Sequence, residues 1–332
     1  MSTPRERPKR VSLADVARIA GVSSNTVSRV VRGDTEVAEE TRQRISAIVE
    51  EVGYRPNYAA RALARNRTGV VHVMLAAPMF HGHGQTLLAV VNEASKAGYN
   101  VSVSNAYTRD GKLERRGNIF HVDGVIILGG QDPTVDIALD IAQSHPTVLL
   151  LSNEIHLDGV STVSVDNVRG SYLATKHLLD TGITDLLHCE GAAGWNDAAR
   201  RREGYEQACA EYGVDPRIVG CSSWNAQAGY DALSSEKTTI PQGIVAANDQ
   251  IALGVIRALH EQGKNIPHDV KVVGFDDDDG ADCFLPPLST IRQRFDLVGR
   301  AAVSQMENLI ADGTTEDVLI APELVIRSSS IN

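Results

Sequence analysis

Three sets of side chains in this 332-residue chain have the types and spacing to do chemistry. The first is Ser23, Ser24, Asn25, Thr26, Ser28 and Arg29, all within one short segment. Asn can pair bidentately with adenine and Arg with guanine, while the short hydroxyls of Ser23, Thr26 and Ser28 suit phosphate oxygens. The second set follows apolar runs: Ser152 and Asn153 after Val148 to Leu151, Asn248 and Asp249 after Gly243 to Ala247, and Asp276 after Val270 to Phe275. Polar groups at the carboxyl ends of parallel strands are where such sheets hold small ligands. The third set points toward metal: the run Asp276 to Asp279 and the pair His81-Gly-His83. The run lacks the spacing of a calcium loop and no ligating glutamate follows it. Two histidines without further ligands are more often loop residues, so no metal is expected. No G-x-S-x-G, G-x-x-x-x-G-K-[ST] or H-E-x-x-H motif occurs, so the chain offers no catalytic residue and implies no cofactor.

The first set needs a rigid platform, and the flanking sequence supplies one. Leu13, Val16, Ala17 and Ala20 line one face of a helix that opens at Ser12 and breaks at Gly21. Ser23 can cap a second helix with Val27, Val30 and Val31 inward and Gly33 as its stop. A third, from about Ala38 to Val52, brings Ile45, Ile48 and Val49 to the same core, and Pro56 halts it before a short alanine-rich segment. Two short helices joined through a glycine turn form a helix-turn-helix, whose second helix presents its N-terminal side chains to the major groove.

From Val70 onward, apolar runs alternate with helix-length segments: Val70 to Leu75, Val101 to Val103, Val125 to Leu128 and Val148 to Leu151. The rhythm returns in Leu186 to His188, Gly243 to Ala247 and Val270 to Phe275, with helices expected over Gly170 to Leu179 and Gln250 to Gln262. This is the pattern of parallel α/β sheets in two lobes. The strand-end residues then face one another across a cleft.

The order ADVARIAGVSSNTVSRVV, then GYRPNYAARAL, resembles the lactose/galactose repressor (LacI/GalR) family. The segments VAANDQIALGVIRAL, VKVVGFDD and PPLSTIRQRFDLVGR resemble the effector domain of the same repressors, which shares its fold with periplasmic sugar-binding proteins, so the resemblance covers nearly the whole chain. It implies an all-α helix-turn-helix domain followed by an α/β two-lobed, periplasmic-binding-protein-like domain of two doubly wound parallel sheets. The expected organisation is a basic tail (1–10), a helix-turn-helix domain (11–56), a hinge helix (57–67) and an effector-binding and dimerisation domain (68–332). Its lobes would be 69–165 with 295–321, and 166–292 with 322–332.

By the resemblance, Ser12, Tyr54 and Asn57 join the DNA-facing set. Ala60 packs the paired hinge helices and Leu63 wedges into a base step, a use of an apolar side chain that kinks DNA. Arg201, Asn248 and Asp276 would hydrogen-bond the effector, Trp224 would cover it with an indole face, and Ala76, Met79 and Ser152 would line the first lobe. Ser152 stands where many relatives carry aspartate, and Ala76 and Met79 add little polarity in exchange. The partners so implied are near-palindromic operator DNA, a carbohydrate effector and a second copy of the chain. A purine or nucleoside is the alternative effector, and it would favour more aromatic residues than the single Trp224.

Charge agrees with this division. The whole chain is acidic, with 32 Lys+Arg against 42 Asp+Glu, but residues 1 to 67 hold 13 against 8 and the remainder 19 against 34. One end is built to approach an anion. The four cysteines have no paired spacing, the opening residues are polar, and no apolar run of membrane-spanning length occurs. The expectation is a cytoplasmic, nucleoid-associated protein, neither exported nor membrane-bound. No leucine heptad follows Pro322 to Arg327, which favours a dimer over a coil-joined tetramer.

Overall fold

The computed structural model describes residues 11–31, 34, 36–54, 67–107, 113, 119, 121–151, 155–235 and 238–331. It divides into two compact units between Thr68 and Gly69. The expectations for Gly33, Pro56, Asn57, Ala60, Leu63, Ser152 and Asn153 lie outside the described residues.

The first unit consists of α1 (Leu13–Ala20), α2 (Ser24–Val31) and α3 (Glu39–Glu51). Ser12 Oγ accepts the Asp15 N–H at 3.2 Å while Asp15 Oδ2 accepts the Ser12 N–H at 3.0 Å, a reciprocal cap that fixes where α1 starts. Gly21 ends it in the left-handed conformation at φ 67°. Val16, Ala17, Ala20, Val27, Val30, Val37, Ile45 and Tyr54 form the core, so each helix buries the stripe its spacing marked out.

The second unit holds two six-stranded sheets. The first comprises β1 (Val70–Leu75), β2 (Asn100–Asn105), β3 (Gly124–Leu128), β4 (Thr147–Leu150), β5 (Val160–Val165) and β11 (Asp317–Ile320). Their spatial order is β11-β5-β4-β3-β1-β2, and every pairing is parallel. Helices α4 (His81–Lys96) and α10 (Phe295–Asp312) cover one face around Val73, Leu128, Val298 and Met306. Helix α5 (Pro133–Ala142) covers the other around Met74, Ile127, Ile141 and Leu149. With both faces covered, β3 is buried at every residue, which is why it reads as an unbroken apolar run.

The second sheet comprises β6 (Leu186–Glu190), β7 (Ile218–Gly220), β8 (Gly243–Ala246), β9 (Lys271–Asp276), β10 (Ser289–Arg292) and β12 (Glu323–Val325), in the order β12-β10-β9-β8-β6-β7. Helices α6 (Asn167–Asp180) and α7 (Asn196–Tyr212) pack on one face, and α8 (Ala226–Ser234) and α9 (Asp249–Glu261) on the other. The sheet is parallel except at β12, which runs antiparallel to β10, a departure from the wholly parallel sheet expected. The cause is the short link from β11. A strand arriving directly from the other lobe enters at the ligand side, where the remaining strands end, and must run opposite to them.

The chain crosses between the lobes three times: after β5, between β10 and α10, and between β11 and β12. Among the described residues, no helix is long and apolar enough to cross a membrane.

Candidate functional site

On the first unit, Ser23, Ser24 and Asn25 stand exposed at the start of α2, and Thr26, Ser28 and Arg29 are half-buried. Ser23 Oγ accepts the Thr26 N–H at 3.1 Å and lies 2.8 Å from Thr26 Oγ1, so these two hydroxyls cap the helix together. The Arg29 guanidinium folds onto acids beyond the helix, with Nε 3.1 Å from Asp34 Oδ2 and a second nitrogen paired with Glu36. It is thus held by carboxylates rather than extended, which the helix pattern did not foretell. Ser12 is occupied in its capping box. Tyr54 corrects an expectation: it is 8% exposed and closes the helical core, because Val49 and Gly53 turn the chain back over α3.

In the second unit, a cleft between the lobes encloses about 730 Å³, counting its open mouth, a size suited to a small molecule. The second lobe contributes Trp195, Asp197, Arg201, Trp224, Asn248 and Asp276. Of the cluster Arg200 to Arg202 only the middle residue enters. Arg200 pairs with Glu203 and Arg202 with Glu206 outside, while Arg201 is 3% exposed.

Arg201 is held from all sides. Its Nε donates to Asn167 Oδ1 at 2.7 Å, Nη1 donates to the Ala247 carbonyl and lies 3.4 Å from Asp276 Oδ1, and Nη2 lies 3.7 Å from Asp197. The guanidinium also stacks 3.8 Å above the Phe275 ring. Asp276 ends β9 at φ 112°, a conformation that non-glycine residues rarely adopt and that functional sites tend to hold. Burial pushes its carboxyl up to about 6. The Arg201 guanidinium pulls it back, Asp278 raises it further, and the 2.6 Å hydrogen bond from Gln293 Nε2 lowers it.

Asn248 lies in the cleft but caps α9: its Oδ1 accepts the Ile251 N–H at 2.8 Å, and its amide donates to the Trp224 carbonyl at 3.0 Å. The rest of the acidic run is already employed. Asp277 sits between Arg292 and Arg327, and Asp278 accepts from Gln250 and pairs with His81 at 3.1 Å. Only Asp279 is exposed. Among the described residues no group of three or more metal-ligating side chains converges.

The cleft walls are more aromatic than the sequence reading allowed. Trp195 joins Trp224 at 6.0 Å and 80° between rings, and Phe80 and His83 pack edgewise on Trp195 at 5.5 and 5.7 Å. Phe295 lines the site as well. Both indoles lie flat on backbone where only glycine leaves room. A Cβ on Gly130 would come within 2.5 Å of Trp195, and one on Gly191 within 2.3 Å of Trp224. The Trp224 Nε1–H is buried without a hydrogen-bond partner.

Two expected lining residues fall outside. Ala76 is fully buried beneath the strand ends, and Met79 is 50% exposed. The turn of α4 that follows them brings Phe80, His81, His83 and Thr86 into the cleft instead. The two histidines are therefore helical rather than loop residues, and burial lowers the His83 pKa. Trp195 and Asp197 follow β6 as Asn248 follows β8, so the strand-end rule would have found them. Gln293 and Phe295 lie on a lobe crossing, which no local pattern marks.

A model of the lacI family of bacterial regulatory proteins matches residues 12–57, and one of a periplasmic binding protein-like domain matches residues 175–330. The lactose operon repressor of Escherichia coli (strain K12) is 30% identical over 91% of this chain and 85% of its own length. The HTH-type transcriptional regulator CelR of Thermobifida fusca is 31% identical, covering 98% of this chain and 99% of its own. The HTH-type transcriptional repressor PurR of Pasteurella multocida is 30% identical, covering 96% and 98%. Among solved structures, the lac repressor dimer bound to operator and the anti-inducer ONPF matches with a TM-score of 0.85 at 28% identity, over 98% of this chain and all of that one. The CelR–cellobiose complex matches with 0.69 at 25% identity, over 96% of this chain and 100% of that chain. These named relatives are transcriptional regulators, and a capped helix-turn-helix preceding a two-lobed α/β unit accounts for both matched regions. The chain belongs to the lacI family of bacterial regulatory proteins.

Proposed function

We propose that this protein is a repressor that binds near-palindromic operator DNA as a homodimer in the cytoplasm, on the nucleoid, and that it releases or tightens its grip when a carbohydrate enters the cleft. It carries out no catalysis. Ser24, Asn25 and Arg29 read base edges, while Ser12, Ser23, Thr26, Ser28, Tyr54 and Asn57 serve phosphate contacts and the geometry of the reading helix. Ala60 and Leu63 belong to a hinge that winds up on DNA. A homodimer presents two related reading helices, hence the expected palindrome.

One observation carries the ligand assignment: a buried Arg201–Asp276 pair beside two perpendicular indoles at the strand ends. Charged groups bracket hydroxyls, and aromatic faces cover the apolar C–H side of a pyranose. Ser152 belongs to the same binding set. The second indole also favours a nucleobase, as the relationship to PurR does, so the deciding assay includes both classes. Operator fragments selected from the parent genome are titrated with protein in the presence of sugars and of nucleosides. The expected result is at least a tenfold change in operator affinity with a mono- or disaccharide. A response to nucleosides alone would replace the sugar, and no preference for any genomic sequence over random DNA would end the repressor reading.

A further inference from the structure

Resting on the proposed sugar site, we infer that the cleft selects a carbohydrate carrying a protonated amine over its neutral counterparts, because two lining carboxylates share a single guanidinium between aromatic walls. The charge count starts with Asp197 and Asp276, both on the cleft and both beside Arg201. One guanidinium balances one of them. The nearby imidazoles do not supply the missing charge. His83 is kept neutral by burial, and His81 is turned to Asp278, a further acid. The domain around the cleft adds no compensation, with 19 Lys+Arg against 34 Asp+Glu after residue 67.

The hydrogen-bond inventory points the same way. Arg201 is committed to Asn167, the Ala247 carbonyl and Asp276, so its capacity to donate to a ligand is largely spent. Asp276 receives both Gln293 and Arg201 on Oδ1, which leaves Oδ2 as its acceptor without a protein donor among the described residues. A lone carboxylate oxygen and a surplus negative charge call for a cationic donor. Phe80, Trp195, Trp224 and Phe295 surround that position with ring faces, whose negative quadrupoles attract a desolvated cation and whose apolar surface fits a sugar ring. The unpartnered Trp224 Nε1–H then finds its acceptor in a ring or hydroxyl oxygen of the same ligand.

The test is calorimetric titration of the full chain at slightly acidic pH. Glucosamine, galactosamine and mannosamine are each compared with the parent hexose and the N-acetyl derivative, and the glucosamine disaccharide is compared with cellobiose. At least one amine should bind tenfold or more tightly than both of its counterparts. Raising the pH through the titration of the sugar's own amine should erase that margin in the unmodified protein, and Asp197→Asn should reduce it to within threefold. If a parent sugar or acetamido derivative binds as well as its amine, this inference falls and the sugar reading stands. If no carbohydrate binds while a nucleoside does, both fall together.

Discussion

Replacing Asp276 by Asn keeps the side chain's shape and removes its charge, and the expected outcome is a more stable protein that binds its ligand less well. Asp276 is 6% exposed, and burial raises its carboxyl from 3.8 to about 6 even with Arg201 3.4 Å away. The folded state therefore takes up the proton more readily than the unfolded state. Below about pH 4 both are protonated and the acid costs nothing. The cost accrues as pH rises through 6 and is complete at neutrality, where about two units correspond to about 3 kcal/mol. Asn avoids it, but its amide also faces the Arg201 guanidinium less favourably than a carboxylate does, so a net gain of about 1–2 kcal/mol at pH 7.5 is the reasonable magnitude.

Trp195 and Trp224 are the chain's two tryptophans and both line the cleft, so urea unfolding followed by fluorescence reports on the second unit. His188 gives the experiment a second signature. Burial lowers its imidazole to about 4. The unfolded histidine gains a proton near its ordinary 6.5 while the folded one does not, so stability is lost as pH falls from 6.5 to 4. Asp276 has the opposite slope over the same range. The two offset in the parent protein, whereas in the variant only the histidine slope remains and stability should decline steadily with acid. A variant less stable at pH 7.5, with the same deficit at pH 4.5, would refute the reasoning, since it would mean that Arg201 stabilises the charge more than burial opposes it.

Two further outcomes follow from the same geometry. Gly191→Ala places a methyl group where Trp224 now lies, so that indole must move; ligand affinity should fall tenfold or more, with a shift in tryptophan emission and a stability loss of about 1–3 kcal/mol. Gln293→Ala removes the donor that ties Asp276 to a lobe crossing, and the ligand's effect on operator affinity should shrink by more than its binding constant does; equal losses in titration and operator assays would show that Gln293 is only a contact.

How much of this was legible in the sequence depended on whether a signal was local. The caps at Ser12 and Ser23 and the left-handed Gly21 are written in a few adjacent residues, and α1 and α2 start and stop where those residues place them. The buried strands β1, β3 and β4 announce themselves as apolar runs. Strand β5 does not, because Val160–Val165 alternates Val with Ser and Thr whose hydroxyls are satisfied internally, as in the Thr162 bond to Asp317. Strands β7, β10, β11 and β12 are three or four residues long and are defined by their neighbours in the sheet. Arg201 could be chosen from three arginines by resemblance but not by periodicity, since its burial depends on Asn167 and Ala247, distant in sequence. Trp195 was missed for a different reason: its place rests on Gly130 of the other lobe.

The residues that anchor the charged pair are also the ones that connect the lobes. Asn167, which holds Arg201 by its Nε, directly follows the crossing after β5, and Gln293, which holds Asp276, lies on the crossing between β10 and α10. A ligand that draws on Arg201 or Asp276 therefore acts on two of the three hinge strands through single hydrogen bonds, without any longer chain of contacts. The energy needed is modest. A tenfold change in operator affinity requires a ligand to differ by about 1.4 kcal/mol in its preference for the two lobe arrangements, which is within the net contribution of one hydrogen bond to a charged group. Ligands that grip only the aromatic walls, equally in both arrangements, would bind and shift nothing. In this cleft, tightness of binding belongs chiefly to the rings and the response to the two polar tethers, and the two can be tuned by different parts of the same ligand.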